Sequence, residues 1–204
     1  MAGGTGLYIR AFCEGMDKIP KVPGEIRAKI ISNYEGKGLQ WLQNEVELKD
    51  AEFFKIGEIH NPQRLMRALE VAEATGKSIL EFRKGKKEKR DFDVIKIGLE
   101  LSKENLHRNI DNRVDKMIRA GIVDEAKGLL SYKYLNSLQT VGYAEMFDYL
   151  EGRVSLHDAV ELIKKNTRQY AKRQITWFKK EREIAWFAPD DVEKMKGHLQ
   201  DALH

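Results

Sequence analysis

The sequence predicts an α/β protein whose core has few strands and is interrupted by a mostly α-helical insertion domain. Three observations carry that prediction. Strand-like segments occur only near 94–99 and 184–187, and helical patterns flank both. The block between 19 and 92 reads as helix throughout. The chain thus passes from a mixed part into a helical part and back, which sets boundaries at 1–18 (core), 19–92 (insertion) and 93–204 (core continued). Two strands are too few for a doubly wound sheet, so the α/β part reads as the remainder of a larger core.

Each element has a local reason. Residues 5–15 form a short helix closed by Gly15, and D-K-I-P-K-V-P-G then makes a crossing rich in breakers. From Glu25 to Glu81 the pattern is helical, with breaks at G-K-G (36–38) and between Gly57 and Pro62. Asn61-Pro62 opens a helix as cap and first-turn proline; Leu65, Ala68, Leu69 and Ala72 give it a buried stripe, and Gly76 ends it. The polar stretch F-R-K-G-K-K-E-K-R (82–90) is an exposed loop.

D-V-I-K-I-G-L (93–99) is the clearest strand. Ser102 caps a helix running to about Ala120, with Leu106, Ile110, Val114, Met117 and Ile118 on its apolar face. A helix near 123–131 precedes a loop rich in Tyr, Asn and Ser that leads to L-Q-T-V-G-Y. Ser155 with Asp158 starts the longest helix, 155–183, in the manner of a capping box. A strand at 183–187 and a helix at 190–203 finish the chain.

Composition narrows the function classes. With one cysteine, Cys13, an internal disulfide is excluded and a reducing compartment is expected; Cys13 lies in an apolar stretch and reads as packing. The five histidines are scattered, so no zinc spacing exists. No apolar run approaches the ~20 residues of a membrane span, and no signal-peptide pattern is present. A cytoplasmic protein is expected. The net charge of +4 is small, but eight Lys/Arg against one acid, Glu181, lie between Lys164 and Arg182. That is the footprint of a phosphate-rich partner, with a solvated helix face as the competing reading.

Chemistry-bearing residues gather in three places. At the start, Gly3, Gly4 and Gly6 around Thr5 feed the helix that begins Leu7-Tyr8-Ile9, and a glycine-rich turn at a helix N-terminus suits an anion. Such turns normally follow a buried strand, and none precedes this one. On the longest helix, Val160, Ile163, Thr167, Tyr170, Gln174 and Trp177 share one face. Lys164, Arg168, Lys172 and Lys179 line a neighbouring face, and such a like-charged row is expected to meet a polyanion. Arg113 emerges at the edge of a buried face and needs a carboxylate or a phosphate there. An ion pair elsewhere in the fold is its alternative reading.

Five motifs occur in order: G-G-T-G-L-Y; N-P-Q-R-L-M-R-A-L-E-V followed by T-G-K; R-V-D-K-M-x-x-x-G; V-G-Y; and T-R-Q-Y-A-K-R-Q-I-T-W-F. Together they closely resemble the tRNA dimethylallyltransferases, also called tRNA isopentenyltransferases, over essentially the whole chain. The resemblance implies transfer of the dimethylallyl group of dimethylallyl diphosphate to N6 of the adenine 3′ of the anticodon. It implies a P-loop-type, nucleotide-binding α/β core with a helical insertion, a magnesium ion, and a tRNA anticodon stem-loop as partner. No membrane is involved, and a monomer is expected.

The resemblance also assigns residues. Thr5 and Arg113 become catalytic, and Gly3, Gly4, Thr5, Arg113 and Arg168 bind the diphosphate. Arg113 would clamp the departing group as negative charge builds on oxygen. Gln63, Arg64 and Arg67 of the insertion, with Lys172, Arg173 and Gln174, contact tRNA; amide and guanidinium groups can read splayed-out loop bases. Gly142 and Tyr143 complete that set through a close backbone approach beside an aromatic ring. Core packing is the competing reading for Tyr143, and for Trp177 the preferred one.

In the resembling family a P-loop and a catalytic aspartate precede G-G-T-G-L-Y, and this sequence contains neither. Gly76-Lys77-Ser78 is the nearest candidate, but Val71 stands where G-x-x-x-x-G-K-[ST] requires glycine. Asp111 and Asp115 sit beside Arg113 and are not replacements for the base. A truncated chain, with an initiator Met at the cut and no activity alone, is therefore expected. A non-catalytic basic helical RNA-binding module and an adenylate isopentenyltransferase are the alternatives. The Thr5 loop and Arg113 argue against the first, and the Q-R-L insertion and the basic run argue against the second.

Overall fold

The computed structural model describes residues 1–135 and 137–203; Asn136, in the expected loop, and His204 lie outside the described residues. The elements are α1 (Gly6–Glu14), α2 (Gly24–Lys49), α3 (Ala51–Ile56), α4 (Pro62–Thr75), α5 (Ile79–Phe82), β1 (Lys96–Leu99), α6 (Lys103–Arg119), α7 (Ile122–Leu129), α8 (Tyr143–Leu150), α9 (Leu156–Phe178), β2 (Ile184–Phe187) and α10 (Val192–Leu203). They divide into two units, Met1–Ile9 with Phe92–His204, and Arg10–Asp91. The division falls within α1, because its second half is tied to the 87–90 loop. Arg90 donates to the Ala11 carbonyl at 2.9 Å, the Glu88 N–H donates to the Glu14 carbonyl at 2.9 Å, and Lys87 pairs with Glu14.

The Arg10–Asp91 unit is built on α2 and α4. Ile30, Leu42 and Val46 of α2 and Leu65, Ala68, Leu69 and Val71 of α4 are buried in one core with Phe53 and Ile79. The start of α4 follows the expected chemistry: the Asn61 side chain accepts the Arg64 N–H, and Pro62 occupies the first turn. The expected break at G-K-G is present as a kink within α2, where two helical halves meet at Gly38, whose φ of 75° and ψ of −171° are not helical. Both halves stay helical because Ile30 before the kink and Leu42 and Val46 after it enter the same core. Asp50 is buried, and its two carboxylate oxygens accept the N–H groups of Phe53 at 3.0 Å and Ile79 at 3.1 Å. One side chain thereby caps both α3 and α5.

In the other unit β1 and β2 run parallel, with Lys96 opposite Ile184 and Leu99 opposite Phe187. The Lys96 ammonium bridges Glu181 at 3.0 Å and Glu183 at 2.9 Å. Burial alone would lower its pKa, but the hydrogen bonds to Glu183 and Glu181 outweigh that and raise it. The core joins Ile110 and Val114 of α6, Ile122 and Ala126 of α7, Met146 and Phe147 of α8, and Ala159 and Ile163 of α9. Helix α8 was not expected; its eight residues lie directly behind the V-G-Y turn. On α9 the buried face differs from the expected one. Ile163 is buried and Val160 packs on the core as expected, but Leu156, Ala159 and Ala171 join them, whereas Tyr170 is 42 % exposed.

Candidate active site

The G-G-T-G segment sits on α9. The Thr5 carbonyl accepts the N–H groups of Tyr8 (3.0 Å) and Ile9 (3.2 Å), which sets the start of α1. Its side chain is exposed and caps nothing among the described residues, so the hydroxyl is available to a ligand. A Cβ on Gly4 would lie 2.5 Å from the Gln174 amide nitrogen, and one on Gly6 would lie 2.4 Å from the Trp177 ring. Gly3 has open space around it. Glycine at 6 is therefore required by contact with the Trp177 ring, whereas at 4 only the flexible end of Gln174 would have to shift; the backbone rests on these two side chains, one turn apart on α9. Trp177 is half-buried under this loop, beside Phe178 in an edge-on contact at 4.9 Å.

The basic row of α9 is less free than its sequence suggests. Arg168 is ion-paired with Asp111, Lys164 with Asp115 (3.0 Å) and Glu161 (3.2 Å), and Lys179 with Glu100 (2.6 Å). The hydrogen bond that Lys164 donates to Asp115 is the largest cause holding its ammonium above its ordinary pKa, against burial. The repulsion expected along this row is thus offset chiefly by carboxylates of α6. Of the four, Lys172 is exposed and has no carboxylate partner among the described residues. Arg173 lies 5.8 Å from the Tyr170 ring. The Nε of Arg168 is enclosed without a hydrogen-bond partner.

Arg113 is exposed, not at a buried edge, and no described residue forms an ion pair or hydrogen bond with it. The ion-pair alternative therefore finds no partner, since Asp111 and Asp115 are engaged by α9.

Gly142 is buried at φ 109° and ψ −62°, a conformation that side-chain-bearing residues rarely adopt. A Cβ there would meet only Met117 at 3.8 Å and Ile122 at 4.0 Å. The backbone angle alone calls for glycine at this position. Its N–H donates to the Glu145 carboxylate at 2.7 Å, and the other Glu145 oxygen accepts from Asn166 on α9 at 2.6 Å. Glu145 is 6 % exposed and was missed in the sequence, although an acid three residues beyond a helix cap is a recognisable signal. The Tyr143 hydroxyl donates to Glu125, and that bond raises the pKa of the phenol. The end of α6, the start of α7 and this turn enclose a cavity of about 180 Å³, lined by Met117, Ala120, Ile122, Val141, Tyr143 and Glu125.

Gln63, Arg64 and Arg67 belong to the Arg10–Asp91 unit. Gln63 and Arg64 are exposed in the first turn of α4, where Arg64 pairs with Glu58 at 2.9 Å. Arg67 pairs at 3.0 Å with the buried Glu70, which also faces Arg27 at 3.7 Å. Burial, then the neighbouring Arg64 and Arg67, lower the pKa of Arg83, whose guanidinium lies 5.8 Å from the Phe53 ring. Among the described residues no group of three or more His, Cys, Asp or Glu side chains is arranged to hold a metal ion. No helix among them is long and apolar enough to cross a membrane.

Comparison with known proteins agrees with this arrangement. A chain from Christiangramia forsetii named tRNA dimethylallyltransferase is 46 % identical over 194 residues, covering 95 % of this chain and 64 % of its own length. One from Bacteroides thetaiotaomicron, named tRNA dimethylallyltransferase 1, is 42 % identical over 200 residues, covering 98 % and 65 %. The present chain therefore spans just under two thirds of these relatives. The crystal structure of the full-length tRNA isopentenylpyrophosphate transferase from Bacillus halodurans matches with a TM-score of 0.57 at 32 % identity, over 97 % of this chain and 63 % of that one. A eukaryotic dimethylallyltransferase acting on tRNA shares the fold, with a TM-score of 0.63 at 24 % identity. The family model described as IPP transferase matches residues 1–181, a span that runs from the G-G-T-G loop through the whole of α9. With that span matched and the relatives alike over nearly all of its length, the chain belongs to the IPP transferase family.

Proposed function

We propose that these residues serve the transfer of a dimethylallyl group from dimethylallyl diphosphate to N6 of the adenine 3′ of a tRNA anticodon. The observation that carries the reading is the seating of Gly4 and Gly6 on Gln174 and Trp177. It joins the G-G-T-G loop to the T-R-Q-Y-A-K-R-Q helix in the unit that also holds Arg113 and Arg168. In the reaction the bond from the allylic carbon to the diphosphate oxygen breaks, a bond to N6 forms, and N6 loses a proton. The charge developing on oxygen is met by unpaired donors: the Thr5 hydroxyl, the N–H groups at the start of α1, and the Arg113 guanidinium. Gly3 and Gly4 give the diphosphate access to the backbone, and Asp111 orients Arg168 toward its task. A magnesium ion, if bound, would be held chiefly through the oxygens of the diphosphate and would offset its charge, since this ion is commonly held through substrate phosphates and few carboxylates. Lys172, Arg173 and Gln174, the turn at Gly142 and Tyr143, and Gln63, Arg64 and Arg67 hold the tRNA, in the cytoplasm and as a monomer.

No residue named above is suited to take the N6 proton, and the sequence contains no P-loop pattern. The 204 residues alone are therefore expected to give no turnover of labelled dimethylallyl diphosphate into tRNA. A chain extended to the length of its relatives should be active. Incorporation by the 204 residues alone would overturn this part of the reading. Titration with an anticodon stem-loop and with AMP tests the substrate: the stem-loop should bind and AMP should not. Equal affinity for AMP would favour an enzyme of free nucleotides.

Binding should weaken with salt, with log K falling by roughly 0.7 per decade for each single-strand phosphate contacted. Lys172→Ala should reduce that slope by about one contact. An unchanged slope would return Lys172 to the solvated surface.

A further inference from the structure

Helix α6 sorts its charges. One edge carries Asp111 and Asp115, both engaged by α9. The apolar face carries the buried Ile110 and Val114. The remaining face carries Arg108, Asn112, Lys116 and Arg119 at spacings of four, four and three, which places them in one row. All four are exposed, and no carboxylate among the described residues pairs with the three cations. Arg108 donates to the neutral Asn105 side chain at 2.8 Å, and Arg119 to the backbone carbonyl of Asp115 at 3.3 Å.

The helix dipole favours cations in the last turn and so accounts for Lys116 and Arg119. It does not account for Arg108, in the second turn, which follows the exposed Glu104 by four residues yet donates to Asn105 and forms no ion pair with that carboxylate. The row extends over about 16 Å at 1.5 Å per residue, enough for several nucleotides. Its far end adjoins Met117 and Ala120, which line the cavity shared with Tyr143 and Glu125.

We infer that the outward face of α6 is a second RNA surface, on which Arg108, Lys116 and Arg119 contact backbone phosphates and lead the strand to the cavity beside Tyr143. The inference rests on the reading of tRNA as substrate and adds a phosphate-contacting element that the motifs did not assign. The cavity then takes one unstacked base. Its apolar lining covers the base, and the Glu125 carboxylate accepts a hydrogen bond from an exocyclic amine.

The test is the salt dependence of anticodon stem-loop binding to the full 204-residue chain, followed by fluorescence anisotropy. Arg108→Ala/Lys116→Ala should reduce the slope of log K against log salt by about 1.4, two contacts' worth, with an unchanged melting temperature. Lys194→Ala/Lys196→Ala on α10 removes the same charge from lysines already paired with Asp191 and Glu193, and should leave the slope as it was. Equal reductions in both variants would show a general charge effect and overturn the inference. An unchanged slope in the α6 variant would leave this face to a protein partner and overturn it too. If the unmodified chain fails to bind the stem-loop at all, the substrate reading falls and takes this inference with it. Binding with no effect at α6 defeats the inference alone.

Discussion

On the proposed function, Arg113→Lys made in a chain extended to the length of its relatives is expected to lower kcat/KM for dimethylallyl diphosphate by about 10²–10³. The substitution keeps one positive charge and removes the planar fork of donors that can bind two oxygens of a diphosphate at once. The deficit should be confined to chemistry. Arg113 is exposed and has no partner among the described residues, so neither packing nor an ion pair is lost. The melting temperature and the tRNA affinity should therefore hold while turnover falls. A lowered melting temperature with normal kinetics would reverse the assignment and make Arg113 a structural residue.

Gly6→Ala should be nearly as damaging, for a steric reason. The added carbon would sit 2.4 Å from the Trp177 ring, far inside contact distance. Either the indole or the G-G-T-G loop has to move. Overpacking of this kind costs about 1–3 kcal/mol of stability, and a displacement of the loop by about 1 Å can cost about 10² in rate. Trp177→Leu removes most of the obstructing ring, so Gly6→Ala/Trp177→Leu should recover much of the lost rate. Gly128→Ala on α7 is the contrast, because that position has open space and lies outside the proposed site. Failure of the double variant to recover, with Gly128→Ala equally impaired, would mean that the loop's seating on α9 is not what the glycine protects.

Periodic helices and their caps were legible in the sequence because the causes are local. Asn61, Ser102 and Ser155 each accept the backbone N–H three residues on, as their positions foretold. Two strands were also legible, though each is shorter than its β-branched stretch. Charge partners were not legible. The row Lys164, Arg168, Lys179 looked free because Asp115, Asp111 and Glu100 stand far away in sequence, and only the packing of α6 on α9 and the end of β1 brings them near. Glu145 was hidden for a similar reason: its second partner, Asn166, belongs to another helix. The glycine of V-G-Y was recognised, but its positive φ was not, since a backbone angle leaves the same mark in a sequence as a close contact.

The parallel pairing of Lys96–Leu99 with Ile184–Phe187 also fixes an order of assembly. Helices α6 to α9 all lie between the two strands in the chain. Bringing the strands together in an unfolded chain would close a long loop for only a few ladder bonds, and closure entropy rises with loop length. Helices form from near neighbours and pack in pairs at much lower cost. The sheet is therefore expected to zip up after the four helices have shortened the distance between its strands. The fastening between the two ends of this unit should then be a late contact in folding and, having few bonds of its own, an early one to open, which faster amide exchange in β1 and β2 than in α6 and α9 would register.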